Sequence, residues 1–313
     1  MKKILSVLLT LTMLFSLSTT ALAAEKDEYS QIVYINEYDY IVALQEFSDE
    51  ELKEIGMTKF DVDKTVDAFY AALNERAKLP DETLIGFGYT DEEIAILRSQ
   101  NDITYSVDSY VLSAEQMRAI TGTCTGNITS SYLSTRYADF KYSWSWDHSP
   151  LMTLSDSAAV RWLAYTSSGS QIDVTNYYQD IKIKYYWNTT YKFQRSGTQE
   201  PNLEFNSINV QFPVTENFIS STGLTESAYA KEGEISISVK VEPEVTSNIS
   251  YMKVAALYGH TTIGVGSPSI SLSPTGGISI SFSGNTSINP IAGSKVKIAL
   301  GSRVTSPVVT TIN

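Results

Sequence analysis

The sequence predicts an α+β chain organised by segment, with a small helical N-terminal region followed by an all-β antiparallel sandwich. Three observations carry this expectation. Helix-start signals and a helical apolar spacing crowd into residues 25–120. From about Thr121 the apolar period changes to two. Between the resulting strands lie turns rich in Ser, Thr and Asn, with no helix among them, which is the pattern of sheets packed face to face.

Residues 1–24 stand apart from both regions. Lys2 and Lys3 precede an apolar run from Ile4 to Leu17 that closes on Ala21, Leu22 and Ala23, the order of a secretory signal peptide cleaved after Ala23 or Ala24. The apolar run is too short for a membrane anchor, and no later segment reaches spanning length, so no transmembrane segment is expected. Cleavage leaves about 290 residues, enough for a substantial core. The expected location is extracellular, either released or loosely associated with the cell surface. No cysteine near the cleavage site offers a thiol for lipid attachment. The Leu79–Thr83 stretch resembles a wall-sorting signal but is internal.

Within residues 25–120, Ser48 with Glu51 forms a capping box, and Gly56 offers a left-handed stop. A longer helix is expected over Asp63–Lys78, where Val62, Val66, Phe69, Tyr70, Leu73 and Ala77 recur at helical spacing before Pro80. Thr90 with Glu93 repeats the capping box, and Ser113 with Gln116 marks one more short turn of helix. Asp61, Asp63, Thr65 and Asp67 have the spacing of calcium-loop oxygens. Val66 sits where that loop needs glycine and Ala72 where it needs a bidentate acid, so these acids read as a helix N-terminus.

In the β-rich part, Ile181, Ile183, Tyr185 and Trp187 alternate with Lys182, Lys184 and Tyr186. Ile235, Ile237, Val239 and Val241 do the same against polar neighbours. A hairpin is expected where Ile270 and Leu272 meet Ile278, Ile280 and Phe282 across Pro274–Gly277. Val296, Ile298 and Leu300 continue after an expected turn over Pro290–Ser294.

Composition narrows the function. The chain carries a formal charge of -12, and losing Lys2 and Lys3 makes it -14, so nucleic acid is excluded as a partner and anionic lipid is repelled. The single cysteine, Cys124, rules out a disulfide framework and reads as a small buried residue. His148 and His260 alone cannot build a His-rich zinc site, and no metal or cofactor is expected.

The densest constellation is Tyr142, Trp144 and Trp146 on one strand face, followed by Asp147, His148, Ser149 and Pro150. Rings beside a carboxylate and an imidazole suit carbohydrate, with stacking on sugar faces and polar tips on hydroxyls. Three such rings in an amphipathic strand are more commonly core, and the core reading is preferred. Trp144, Trp146, Asp147 and His148 remain the candidate ligand contacts, joined by Tyr186 on the polar face of its strand.

The same stretch, Y-S-W-S-W-D-H-S-P-L-M-T-L-S-D-S-A-A-V-R-W from Tyr142 to Trp162, resembles a segment of uncharacterised secreted proteins of Gram-positive bacteria. A looser likeness lies in Y-G-H-T-T-I-G around Tyr258–His260. The resemblance implies export and assigns no catalytic residue.

Enzyme readings lack a frame. Cys124 with a histidine, or Ser149 beside His148, offers a nucleophile and a base, yet adjacent strand residues point to opposite faces and no G-x-S-x-G elbow is present. The acids Asp147, Asp156, Asp173, Asp180, Glu204, Glu216 and Glu226 offer glycoside hydrolysis no pairing that sequence reveals. A β-pore former is the other alternative, with Ile263–Ile288 as its hairpin. The second arm keeps one phase, whereas the first changes phase at Pro268. The expected function is a secreted noncatalytic binding or structural protein whose ligand is a cell-wall glycan or a protein.

Overall fold

The computed structural model describes residues 33–54, 57–99, 112–151, 155–187, 190–196, 206–261, 269–271, 281–283, 288–300 and 307–311. The expected cleavage residues Ala23 and Ala24 lie outside them. The fold is α+β: helices cluster toward the N-terminus, and the remainder is antiparallel sheet.

The helices are α1 (Glu37–Glu46), α2 (Asp49–Glu54), α3 (Lys59–Ala77), α4 (Asp81–Gly86), α5 (Asp91–Arg98) and α6 (Ala114–Ala119). Caps set their starts. Thr90 with Glu93 and Ser113 with Gln116 form reciprocal capping boxes, and Ser48 bonds Glu51 in the same manner. α3 starts four residues ahead of the expected Asp63, because Thr58 and Asp61 close a further capping box. Its buried face is Val62, Thr65, Val66, Phe69, Leu73 and Arg76.

Among the described residues there are fifteen strands, numbered in chain order, and every pairing is antiparallel. They are β1 (Val33–Asn36), β2 (Thr123–Leu133), β3 (Tyr137–Trp146), β4 (Ser155–Tyr165), β5 (Gln171–Ile172), β6 (Val174–Trp187), β7 (Thr190–Ser196) and β8 (Ser207–Pro213). Next come β9 (Thr215–Ile219), β10 (Thr225–Val241), β11 (Tyr251–Thr261), β12 (Ser269–Ser271), β13 (Ser281–Ser283), β14 (Ile288–Leu300) and β15 (Pro307–Thr311). The main sheet runs β5-β4-β11-β14-β1-β2-β3-β10-β6-β7, with β8 on β4, β9 on β10 and β15 on β14.

β1 lies inside the region expected to be helical, and it joins two groups of strands. Val33 and Tyr34 pair with Gly293 and Ala292 of β14, whereas Ile35 and Asn36 pair with Cys124 and Thr123 of β2. Asn36 then caps α1, accepting from Tyr38 N at 2.9 Å while its amide donates to Thr121 O at 3.0 Å.

One expected turn is a strand instead. β14 runs straight through Pro290–Ser294. The proline is tolerated because the register with β11 shifts between Tyr258 and Gly259, leaving a bulge beside Pro290. The expected hairpin is seen where Ser269, Ile270 and Ser271 pair with Ser283, Phe282 and Ser281, and its remaining residues lie outside the described ones.

Alternation on β3 turns Ala138, Phe140, Tyr142, Trp144 and Trp146 inward. Their rings meet side chains of the other strand group: Trp144 stacks on Phe212 of β8 at 5.6 Å and tilts against Tyr258 of β11 at 5.5 Å. Phe140 meets Trp162 of β4 at 5.8 Å. Helix residues such as Leu44, Phe69 and Leu97 join the same apolar cluster, so one core spans helices and strands. Space for the Trp144 ring comes from Gly233, which pairs with Trp144 in register and lies under its indole. A Cβ there would be driven into the ring. Gly233→Ala is therefore expected to lower the thermal midpoint by roughly 3–10 °C in calorimetry, without loss of the far-ultraviolet strand signal.

Candidate functional site

The polar groups nearest to chemistry gather where the helical region meets the strands. Asp156 lies on the inward phase of β4 and His260 on the inward phase of β11, at 0% and 1% exposure. His260 Nδ1 sits 2.8 Å from Asp156 Oδ1, and Nε2 faces Glu37 Oε1 at 3.5 Å, too long for a hydrogen bond. Tyr258 donates its hydroxyl to Asp156 and accepts from Trp146 Nε1 at 3.0 Å. Glu37, first residue of α1, accepts backbone N–H groups from Gly122 and Leu151, both at 2.8 Å.

The geometry sets the charge. Burial alone would lower the His260 imidazole, but Asp156, followed by Glu37, outweighs it and pushes the group up to about 10. The cluster is an imidazolium clasped between two carboxylates, connecting α1 to β4 and β11. Burial pushes the Cys124 thiol well above its usual range, and Asp156, Asp147 and Glu37 add to the shift. That is opposite to what a nucleophilic cysteine requires.

A second junction surrounds His148. Its Nε2 lies 3.2 Å from Glu93 Oε2, and Nδ1 lies 3.1 Å from Asp147 Oδ1. Burial acts to lower the imidazole, yet Asp147 and Glu93 together raise it. Glu93 also closes the capping box of α5, so one carboxylate both caps a helix and docks it. Beside it the buried guanidinium of Arg76 donates to Ser149 O at 3.0 Å and Pro150 O at 2.7 Å, and lies 4.6 Å from the Phe87 ring. Ser149 N donates to Phe87 O at 2.8 Å.

These positions sort the sequence candidates. Trp144 and Trp146 are 2% and 1% exposed, so neither ring offers a face to a sugar in solvent. His148 is buried and ion-paired, whereas Asp147 is exposed and accepts from Thr123 N at 2.6 Å. Tyr186 is half-buried on the outer face of β6, separated from β3 by β10, with the Lys231 ammonium 5.9 Å from its ring. The five residues therefore do not converge on one surface. Sequence reasoning passed over Glu37 and Arg76, read Glu93 only as a helix cap and did not pair Asp156 with His260. The available signal was phase: His260 follows Met252, Val254, Ala256 and Tyr258 at a spacing of two, and a histidine in that row must find a buried partner.

Among the described residues no helix is long and apolar enough to cross a membrane. No protein-family model matches the chain, and no curated protein matches it. Among solved structures it is similar to AvmM, which catalyses macrocyclisation in alchivemycin A biosynthesis, at 11% identity and a TM-score of 0.20 over 42% of this chain and 73% of that one. It is also similar to Clostridium perfringens delta-toxin, at 8% identity and a TM-score of 0.17 over 60% and 81% of the two chains. At these TM-scores neither likeness carries an argument about activity.

An imidazole at 6.5 in the unfolded chain and about 10 in the folded one contributes stability that is complete below pH 6.5 and lost as pH rises through about 10. The thermal midpoint should fall by about 10 °C between pH 7 and 10, with the His260 ring still giving its imidazolium signal by nuclear magnetic resonance at pH 8. Arg76→Met strips two buried carbonyls of their donor. It should cost about 3 kcal/mol in urea unfolding with the slope unchanged.

Proposed function

We propose that this chain is an exported, noncatalytic binding protein whose ligand is a cell-wall glycan, built as two sheet layers of a β-sandwich with the helical region docked at one end. The signal-type N-terminus supports export, and the ring contacts of Trp144 with Phe212 and Tyr258 support the layered reading. The observation that carries the noncatalytic reading is the burial of both histidines of the chain, each with its ring nitrogens facing carboxylates. An imidazole held in this way serves as a structural cation, withdrawn from any substrate.

Ligand contact then falls to the outer face of the β2-β3-β10-β6 strands. A register shift between Ser238 and Val239 leaves Tyr177 as the extra residue of a bulge on β6, so Tyr177 and Tyr178 both stand about half exposed. Asn176 holds the bulge, accepting from Tyr178 N at 3.1 Å and donating to Gln179 at 3.0 Å. Tyr137 of β3 meets the Tyr177 ring edge-on at 6.1 Å, and Asp139, Ser238 and Lys240 occupy the neighbouring register positions. Exposed rings with hydroxyl, carboxylate and ammonium groups between them match the amphipathic surface of a saccharide.

Two measurements test this. The protein recovered from culture supernatant should begin at Ala24 or Glu25. It should co-sediment with insoluble cell-wall glycan, and Tyr177→Ala with Tyr178→Ala should weaken that binding at least tenfold while leaving the thermal midpoint unchanged. Glycan binding that survives the double substitution, or a hydrolytic activity of the purified chain, overturns the reading.

A further inference from the structure

The most exposed aliphatic side chains of the described residues lie far from the tyrosine face, at Ile219 and Leu224, which are 76% and 64% exposed. They flank the Ser220–Gly223 turn between β9 and β10, where Ser220 N donates to Leu224 O at 2.8 Å. The last residue of β6 packs on the same hairpin, where Trp187 meets Phe218 of β9 edge-on at 6.0 Å. Tyr177 stands about 30 Å away along β6.

Ile219 and Leu224 are outermost. Phe218 is the next residue inward on β9 and meets Trp187 of β6, with Lys192 lying 5.0 Å from the Trp187 ring and 5.8 Å from the Phe218 ring. Tyr186 and Tyr191 follow, ring against ring at 5.9 Å, and then Arg195, paired with Glu216. Exposed aliphatic side chains at the turn with amphipathic rings behind them suit the boundary between acyl chain and headgroup, and the first acidic group of this ladder, Glu226, is set back from the turn opposite Phe218.

Charge selects the kind of surface. The chain as a whole carries -12, which opposes anionic lipid, yet Lys192 at this end rests on aromatic faces and has no carboxylate partner among the described residues. A headgroup that presents a phosphate to Lys192 without net negative charge satisfies both conditions. We propose that the β9–β10 turn, with Trp187, Phe218 and Lys192 behind it, forms a membrane-surface site for a zwitterionic phospholipid bilayer, with Ile219 and Leu224 entering the interface and Lys192 meeting lipid phosphate. This goes beyond the glycan reading and uses none of its residues. The site lies on the bilayer and does not span it.

The test is sedimentation of the purified protein with phosphatidylcholine vesicles, read alongside tryptophan emission. The protein should pellet with the vesicles, with a blue shift as Trp187 leaves water. Ile219→Ser with Leu224→Ser should weaken partition at least tenfold with an unchanged thermal midpoint, since both side chains are exposed. Tyr177→Ala with Tyr178→Ala should leave partition unchanged, which separates this site from the glycan face. Four results overturn the proposal: no pelleting with phosphatidylcholine, pelleting only with phosphatidylglycerol, pelleting undiminished in the Ile219/Leu224 variant, or an oligomer that the same variant converts to monomer without vesicle binding, which would assign the patch to self-association.

Discussion

The clasp of His260 between Asp156 and Glu37 is the contact on which the arrangement of helices and strands turns. It draws one carboxylate from β4, the imidazole from β11 and the second carboxylate from the first residue of α1. A cation and two anions removed from water are costly unless every remaining lone pair and proton is occupied. Here Tyr258, Gly122 and Leu151 supply donors to the carboxylates, while His260 Nε2 faces Glu37 by charge alone, so geometry at one spot dictates where a hydroxyl, a loop and a second backbone segment must sit. Arg76 repeats the logic on the other side of the junction, with carbonyls in place of carboxylates.

Polar groups that tempt a functional reading are thereby given mechanical work. The Asp147–Pro150 stretch, with its carboxylate, imidazole and hydroxyl, has the composition of a site and the position of a joint. His148 grips Glu93, Ser149 N grips Phe87 O, and Pro150 O accepts from Arg76. Such buried polar contacts specify one orientation of the helical region, which apolar packing alone would leave loosely defined. Exposed tyrosines and aliphatics stand instead on the outward strand face at Tyr137, Tyr177 and Tyr178 and at the β9–β10 turn.

Much of the local structure was legible in the sequence because it depends on neighbours in the chain. The Ser48, Thr90 and Ser113 caps and the period-two strands around Ile181 and Ile235 each follow from a handful of adjacent residues. Thr58 escaped because Asp61 stands where the usual signature has Glu or Gln. Pro290 misled because a proline in mid-strand is tolerated only beside a bulge, and the bulge is made with β11. The Asp156–His260 pair was out of reach for a similar reason: the two residues lie 104 positions apart, and only the pairing of β4 with β11 brings them together. The tyrosine face was hidden by its own bulge, since strict alternation would turn one of Tyr177 and Tyr178 inward.

β1 adds a constraint of timing. Val33 pairs with Gly293 and Ile35 pairs with Cys124, so this four-residue strand holds the start of the chain against nearly its end. Contacts of such long separation form late, after more local hairpins have assembled. A ribosome must therefore deliver β14 before the opening strand has both its neighbours. Until then the two strand groups of the main sheet lack the strand that lies between them.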